Sequence, residues 1–228
     1  MKSMKLVLFL CLSLSLFGHN DSNITKQEVK KAPLHYISVK EKKKRFIKLL
    51  LPAITEVHSE LMQRYERIAK DIKNKTNIDE VRLLKQKYKA TSDEDLLARL
   101  KPHPISITLA QAAMESSWGT SRFFKEANNV FGMWSTNAKQ KRIAAGEKRG
   151  GTRTIWLRKF DTLQDAIRAY YEMMATGKAY SKFRKLRLLY DDPYKITVGL
   201  DKYSEIGPQY IKVLNQVIKY NHFTKYDY

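Results

Sequence analysis

The chain has a single cysteine, Cys11, among 228 residues. One thiol forms no internal disulfide, and cysteine-held zinc and iron–sulfur sites need several thiolates, so those stabilising and catalytic devices are excluded. Cys11 also lies inside an apolar run, Leu6 to Phe17, with no small residues before it, which argues against lipidation. Glycine is scarce, at nine residues, and neither Gly146 nor the Gly150-Gly151 pair has the spacing of a phosphate-binding loop. Ser116 and Ser117 have no histidine nearby in sequence and no Gly-x-Ser-x-Gly elbow. His58, His103 and His222 lack metal-ligand spacing and read as surface or core residues, so no metal or cofactor is expected. The Leu6–Phe17 run is shorter than the roughly 20 residues of a membrane span. Acids are few: 23 Asp and Glu stand against 43 Lys and Arg, a net charge of +20.

What is present begins with Lys2 and Lys5, the apolar run, then Gly18 and polar residues, the outline of a secretory signal over residues 1 to 18. A retained anchor is the alternative. A polar, lysine-rich lead over 19–37 follows. An exported protein without disulfides is stabilised by its core alone, and 43% hydrophobic content suffices for one domain with such a core. The positive surface attracts polyanions: nucleic acid, anionic lipid or an anionic wall polymer. Export ranks wall or membrane surface above nucleic acid, and the place of action is expected to be the periplasm or cell envelope. Solvated lysines without a partner are the plainer reading of the same charge. Oligomeric state is left open by the sequence.

A helical prefix is expected over 38–100 and a second region over 101–228. Phe46, Leu50, Val57, Leu61 and Ile68 recur at helical spacing between charges, with Pro52 expected to kink the helix or begin a second one. Another helix runs from Ile78 to Tyr88, and Ser92-Asp93-Glu94-Asp95 resembles a capping box opening a third. Pro104 suits the first turn of a helix with Ile105, Leu109 and Ala112 on its buried stripe and Gly119 at its end. The helical period then vanishes, and Thr152 to Phe160 alternates as a strand does, so a hairpin lobe is expected over about 133–160 with Glu147 close to its turn. Helices resume after Asp161-Thr162, around Ser181–Leu189 and Tyr194–Leu200, and after Gly207-Pro208 with Ile211, Leu214 and Ile218 on one face. The fold class is mainly α, an α+β domain with a small β-hairpin lobe.

The residues best placed for chemistry are acids. Glu115 closes an alanine-rich helical turn just before Trp118 and Gly119, where the negative end of the helix dipole and partial desolvation both favour its protonated form. Between it and Asp161 the only other acids are Glu126 and Glu147. Glu147, in a polar hairpin, is expected to stay ionised. Glycosidic cleavage uses such a pair, one carboxylic acid to protonate the leaving oxygen and one carboxylate to activate water or stabilise the cation. The plainer readings remain open: Glu115 as a mere helix end and Glu147 as a solvated turn acid. Trp134, after the Asn128-Asn129-Val130-Phe131-Gly132 turn, is the tryptophan best placed to stack on a sugar, whereas Trp118 reads as core.

The stretch AQAAMESSWGTSRFFKEANNVFGMW, with the C-terminal LDKYSEIGPQYI, resembles the bacterial endo-β-N-acetylglucosaminidase family of cell-wall hydrolases, closest to its Bax protein subgroup. The resemblance implies a lysozyme-like fold, an α-lobe and a small β-lobe with a cleft between them. It implies Glu115 as the catalytic acid and Glu147 near the position of the second acid. It further implies Asn129, Phe131 and Tyr203 at the sugar site, where Gln111 and Trp134 are also expected, and peptidoglycan glycan strands as the partner. The expected activity is hydrolysis of the β-1,4 bond after N-acetylglucosamine. A lytic transglycosylase, which needs one acid and no water, and a non-catalytic wall-binding protein are the alternatives.

Overall fold

The computed structural model describes residues 37–149 and 153–227, so the expected signal and most of the lead lie outside the described residues. The first helix, α1 (Val39–Asn74), opens at Ser38, whose hydroxyl accepts from the Glu41 amide at 3.1 Å, and closes on Lys75 in the left-handed conformation. It runs unbroken through Pro52, against the expected division. Pro52 is exposed, so the carbonyl it leaves without a partner faces water, while Leu50, Ala53, Ile54 and Val57 on both sides of it are buried. Packing on either side holds the helix together across the missing bond.

Two short helices, α2 (Ile78–Tyr88) and α3 (Asp93–Leu100), fold back on the end of α1. Ser92 caps α3 as expected, its Oγ accepting from the Asp95 amide, while Asp95 reaches back one residue further than a capping box, to the Thr91 amide, both at 3.0 Å. Val81, Leu84, Tyr88, Leu96 and Leu100 close a satellite cluster with Ile68.

The centre is α4 (Ile105–Glu115), buried from Ile105 to Ala113. A helix apolar on all sides belongs in a core, and α1 and α9 (Pro208–Tyr220) pack directly against this one. Ala110, Ala112 and Ala113 are fully buried and leave room for that approach. Phe46, Leu50, Ile54 and Val57 of α1 belong to the same core as α4, so the prefix is built into it. After α5 (Arg122–Ala127) the chain forms an antiparallel hairpin, β1 (Arg142–Arg149) and β2 (Arg153–Arg158). Next come α6 (Leu163–Thr176), capped by Thr162 Oγ1 at 3.1 Å from the Asp165 amide, then α7 (Ser181–Leu189) and α8 (Pro193–Thr197). The last helix, α9, begins at Pro208 as expected. Its buried stripe is Tyr210, Leu214 and Ile218.

Candidate active site

Glu115 is the last residue of α4, four residues before Gly119. Ser117, Trp118 and Gly119 all take positive φ, +52°, +59° and +75°, so the chain turns away at once. Ser116 secures the turn: its hydroxyl donates to Ala112 O at 2.6 Å and accepts from the Gly119 amide at 2.9 Å. Gly119 is required twice over, by its left-handed backbone and because a Cβ there would meet Phe46 at 3.2 Å and Phe124 at 3.3 Å. Trp118 is a packing residue, edge-on to Phe46 with ring centroids 5.5 Å apart.

The carboxyl of Glu115 is half-buried in a corner of tyrosines. The Tyr210 hydroxyl donates to its Oε1 at 3.2 Å, and Gln111 Nε2 donates to the Tyr210 oxygen at 3.0 Å. Tyr203 stacks on Tyr210 at 5.0 Å and lies 5.9 Å from Tyr180. Burial pushes the Glu115 proton affinity up to about 8, and the Tyr210 hydrogen bond, which favours the carboxylate, offsets only part of that. At neutral pH the group holds its proton, the form that can protonate a leaving oxygen.

The residues expected around the sugar fall into two groups. Gln111, Asn129, Phe131 and Tyr203 are at most 1% exposed, so as placed they stand behind the site rather than on its surface. Phe131 stacks on Tyr170 at 4.0 Å inside the core. Asn129 is a joint between lobes: its Nδ2 donates to Met133 O at 2.9 Å and Arg158 O at 2.8 Å, and its Oδ1 accepts from the Met133 amide at 2.8 Å. Asn128, in the left-handed conformation, donates to Phe160 O and Asp161 O. Trp134 is half-buried and forms a backbone bridge to Leu157 of β2, so the hairpin gains a short third edge.

Glu147 lies in β1, and its side chain is outside the described residues. Its backbone setting is distinctive. Ala144 pairs with Trp156 and Lys148 with Thr154, so Ala145, Gly146 and Glu147 together face Ile155 alone. Gly146 takes φ +92°, and Arg122 Nη2 donates to Ala144 O, tying the bulge to α5. Bulges re-aim side chains next to active sites. Sequence reasoning missed Tyr210 and Tyr170, whose only signal was an aromatic with a polar tip on an otherwise apolar helical stripe.

Among solved structures, a peptidoglycan hydrolase mutant from Sphingomonas sp. A1 matches over 80% of this chain and 96% of its own, at 18% identity and TM-score 0.50. An N-acetylmuramoyl-L-alanine amidase from Staphylococcus aureus matches over 84% of this chain and 45% of its own, at 20% identity and TM-score 0.50. The helical lobe and the small hairpin lobe give the chain a lysozyme-like fold. Residues 92–223 match the mannosyl-glycoprotein endo-beta-N-acetylglucosaminidase family, and the chain belongs to it. Its likeness to Protein bax of Escherichia coli K12, 29% identical over 164 residues and 67% of this chain, agrees with the Bax subgroup. The chain spans 57% of that relative's length.

Proposed function

We propose that the protein cleaves the β-1,4 bond after N-acetylglucosamine in peptidoglycan glycan strands, with Glu115 donating the proton to the leaving oxygen. The observation that carries this is the carboxyl itself, half-buried among tyrosines and holding its proton at neutral pH. Family membership supports the reaction class, and a solved peptidoglycan hydrolase of the same fold supports the substrate.

Glu147 is the second acid in this reading, presented from a glycine bulge on the opposite lobe, where it activates water or steadies the developing cation. The substrate's own N-acetyl group can share that task. Trp134 stacks on a sugar ring. Gln111, Asn129, Phe131 and Tyr203 act from behind, Gln111 through Tyr210 and Asn129 by fixing the lobe that carries Trp134. The site of action is the cell envelope, reached by export, and the excess of cations over acids suits an anionic wall or membrane surface and not nucleic acid as the partner. Among the described residues no helix is long and apolar enough to cross a membrane.

The test is digestion of purified sacculi by the wild-type chain and by Glu115→Gln, followed by mass spectrometry of fragment ends. Reducing N-acetylglucosamine ends that vanish in the variant are the expected result. Retained lysis by a folded Glu115→Gln protein overturns the assignment. A transglycosylase would leave anhydro ends.

A further inference from the structure

Glu115 is one end of a longer line of buried polar groups. Arg187 of α7 is 1% exposed, and His103, Tyr170, Gln111 and Tyr210 are wholly buried, so water does not compete for their bonds. Among the described residues, Arg187 is a buried cation whose hydrogen bonds go to carbonyls and a histidine ring instead of a carboxylate. Its Nε reaches Ala98 O at 3.1 Å, and its Nη2 reaches Ala98 O and Arg99 O, both at 2.9 Å. Burying a guanidinium that no acid neutralises is costly.

The chemistry of each group fixes which way its proton points. Arginine only donates. Its Nη1 lies 3.5 Å from His103 Nδ1, so Nδ1 is the acceptor and the neutral ring carries its proton on Nε2. Desolvation, with Arg187 and His58 facing it, keeps that ring neutral. Nε2 faces two hydroxyl oxygens at 3.0 Å, those of Tyr170 and Thr108. The Tyr170 hydroxyl donates to Gln111 Oε1. That fixes the amide orientation, leaving Nε2 to donate to Tyr210, whose hydroxyl donates to Glu115. From Arg187 Nη1 onward, one donor of each group in turn points toward the carboxyl.

We propose that Arg187, His103, Tyr170 and Gln111 are positioning residues for Glu115, a one-directional line of hydrogen bonds that keeps the Tyr210 hydroxyl turned toward the acid. The proposal rests on the reading of Glu115 as the acid only where activity is measured. The logic is one of propagation. With Arg187 removed, His103 can carry its proton on Nδ1 and accept from Tyr170 at Nε2. Gln111 Oε1 then loses its donor, the amide is free to flip, and Tyr210 can turn its proton to Gln111 instead of Glu115. Among the described side chains, Tyr180 and Tyr203 are the other titratable groups near the acid, tyrosines that stay neutral through this range. Tyr171, Arg184 and Asp227 complete the titratable surroundings of the His103 end.

The test uses the full chain with Tyr170→Phe, Tyr210→Phe and the double variant. Tyr170→Phe keeps the ring that stacks on Phe131 and removes only the hydroxyl. Glu115 is titrated through its ¹³C-labelled carboxyl signal, assigned by its absence in Glu115→Gln, and the alkaline limb of sacculus digestion is recorded. Losing a charge-assisted donor weakens the carboxylate form, so each single variant raises the Glu115 midpoint by about one pH unit, a tenfold gain in proton affinity. The alkaline limb moves up with it, and the double variant moves no further than Tyr210→Phe alone. Arg187→Met shifts the midpoint the same way; where that variant does not fold, Tyr170→Phe decides. A Tyr170→Phe midpoint equal to wild type, or a double variant whose shift is the sum of the singles, overturns the proposal. If Glu115→Gln keeps its lytic activity the functional reading fails, yet the midpoints still decide whether the line exists.

Discussion

Replacing Glu115 by Gln removes the proposed proton donor and should at the same time make the protein more stable at alkaline pH. In the unfolded chain the carboxyl ionises near 4.5, whereas in the folded protein burial holds its proton up to about 8. Between those values the native state binds a proton that the unfolded state has lost, so wild-type stability falls as pH rises and levels off above about 8. Each unit is worth about 1.4 kcal/mol, which sets a ceiling of about 5 kcal/mol. Between pH 5 and pH 9 that amounts to a loss of about 4 kcal/mol. Glutamine has the same shape, carries no charge at any pH, and can still accept from Tyr210. At pH 5 the two proteins should therefore melt within about 2 °C of each other. At pH 9 the variant should melt about 8 to 16 °C higher, given roughly 2–4 °C per kcal/mol for a domain of this size. Calorimetry across pH 5 to 9, beside digestion assays at each pH, measures both effects. A Tm difference that does not change with pH would refute the claim that burial holds Glu115 protonated.

Three further substitutions test how the site is held. Gly119→Ala forces a side chain into a left-handed position against Phe46 and Phe124, and should cost about 2–3 kcal/mol, read as a Tm fall of about 5–10 °C. Gly146→Ala, at φ +92° with only the Arg122 guanidinium in ordinary contact at 4.0 Å, should cost only about 1–2 kcal/mol while lowering sacculus digestion at least tenfold, because it re-aims the strand that carries Glu147. Equal losses of activity from Gly146→Ala and from a neutral control such as Lys139→Ala would remove the bulge from the mechanism. Asn129→Ala leaves the Met133 amide without its acceptor and takes the side-chain donor from Met133 O, which keeps the Arg158 amide, and from Arg158 O, and should cost about 1–3 kcal/mol in chemical unfolding.

Much of the architecture was legible because local signals and tertiary packing agree. The Ser92 and Thr162 caps, the strand alternation before Phe160 and the Pro208 start all appear where the residues place them. Pro52 misled because a proline's local cost was weighed without the long apolar stripe that carries α1 across it. Phe131, Asn129 and Tyr203 are polar or aromatic residues beside a motif, a pattern that fits sugar contact and core equally. Only three-dimensional packing separates the two. The line from Arg187 to Glu115 was illegible for a stronger reason. Its members come from α4, α6, α7, α9 and the segment before α4, and no local spacing relates them.

The motif from Ala110 to Trp134 consequently serves mainly to hold one carboxyl. Ala110, Ala112 and Ala113 let α1 and α9 close on α4, so Glu115 emerges from a dry core. Ser116 and Gly119 end the helix at that residue and turn the chain away. Asn128 and Asn129 pin the second lobe to the first, and Phe131 backs Tyr170 in the line that ends on the acid. A lone acid in water would ionise near its ordinary value and give up its proton well below neutral pH. The proposed chemistry demands a proton kept on one oxygen at neutral pH, and meeting it takes a scaffold of small, turning and hydrogen-bonding residues far larger than the proposed proton donor itself. Substitutions within the motif should therefore lower turnover by disturbing Glu115 more often than they weaken substrate binding.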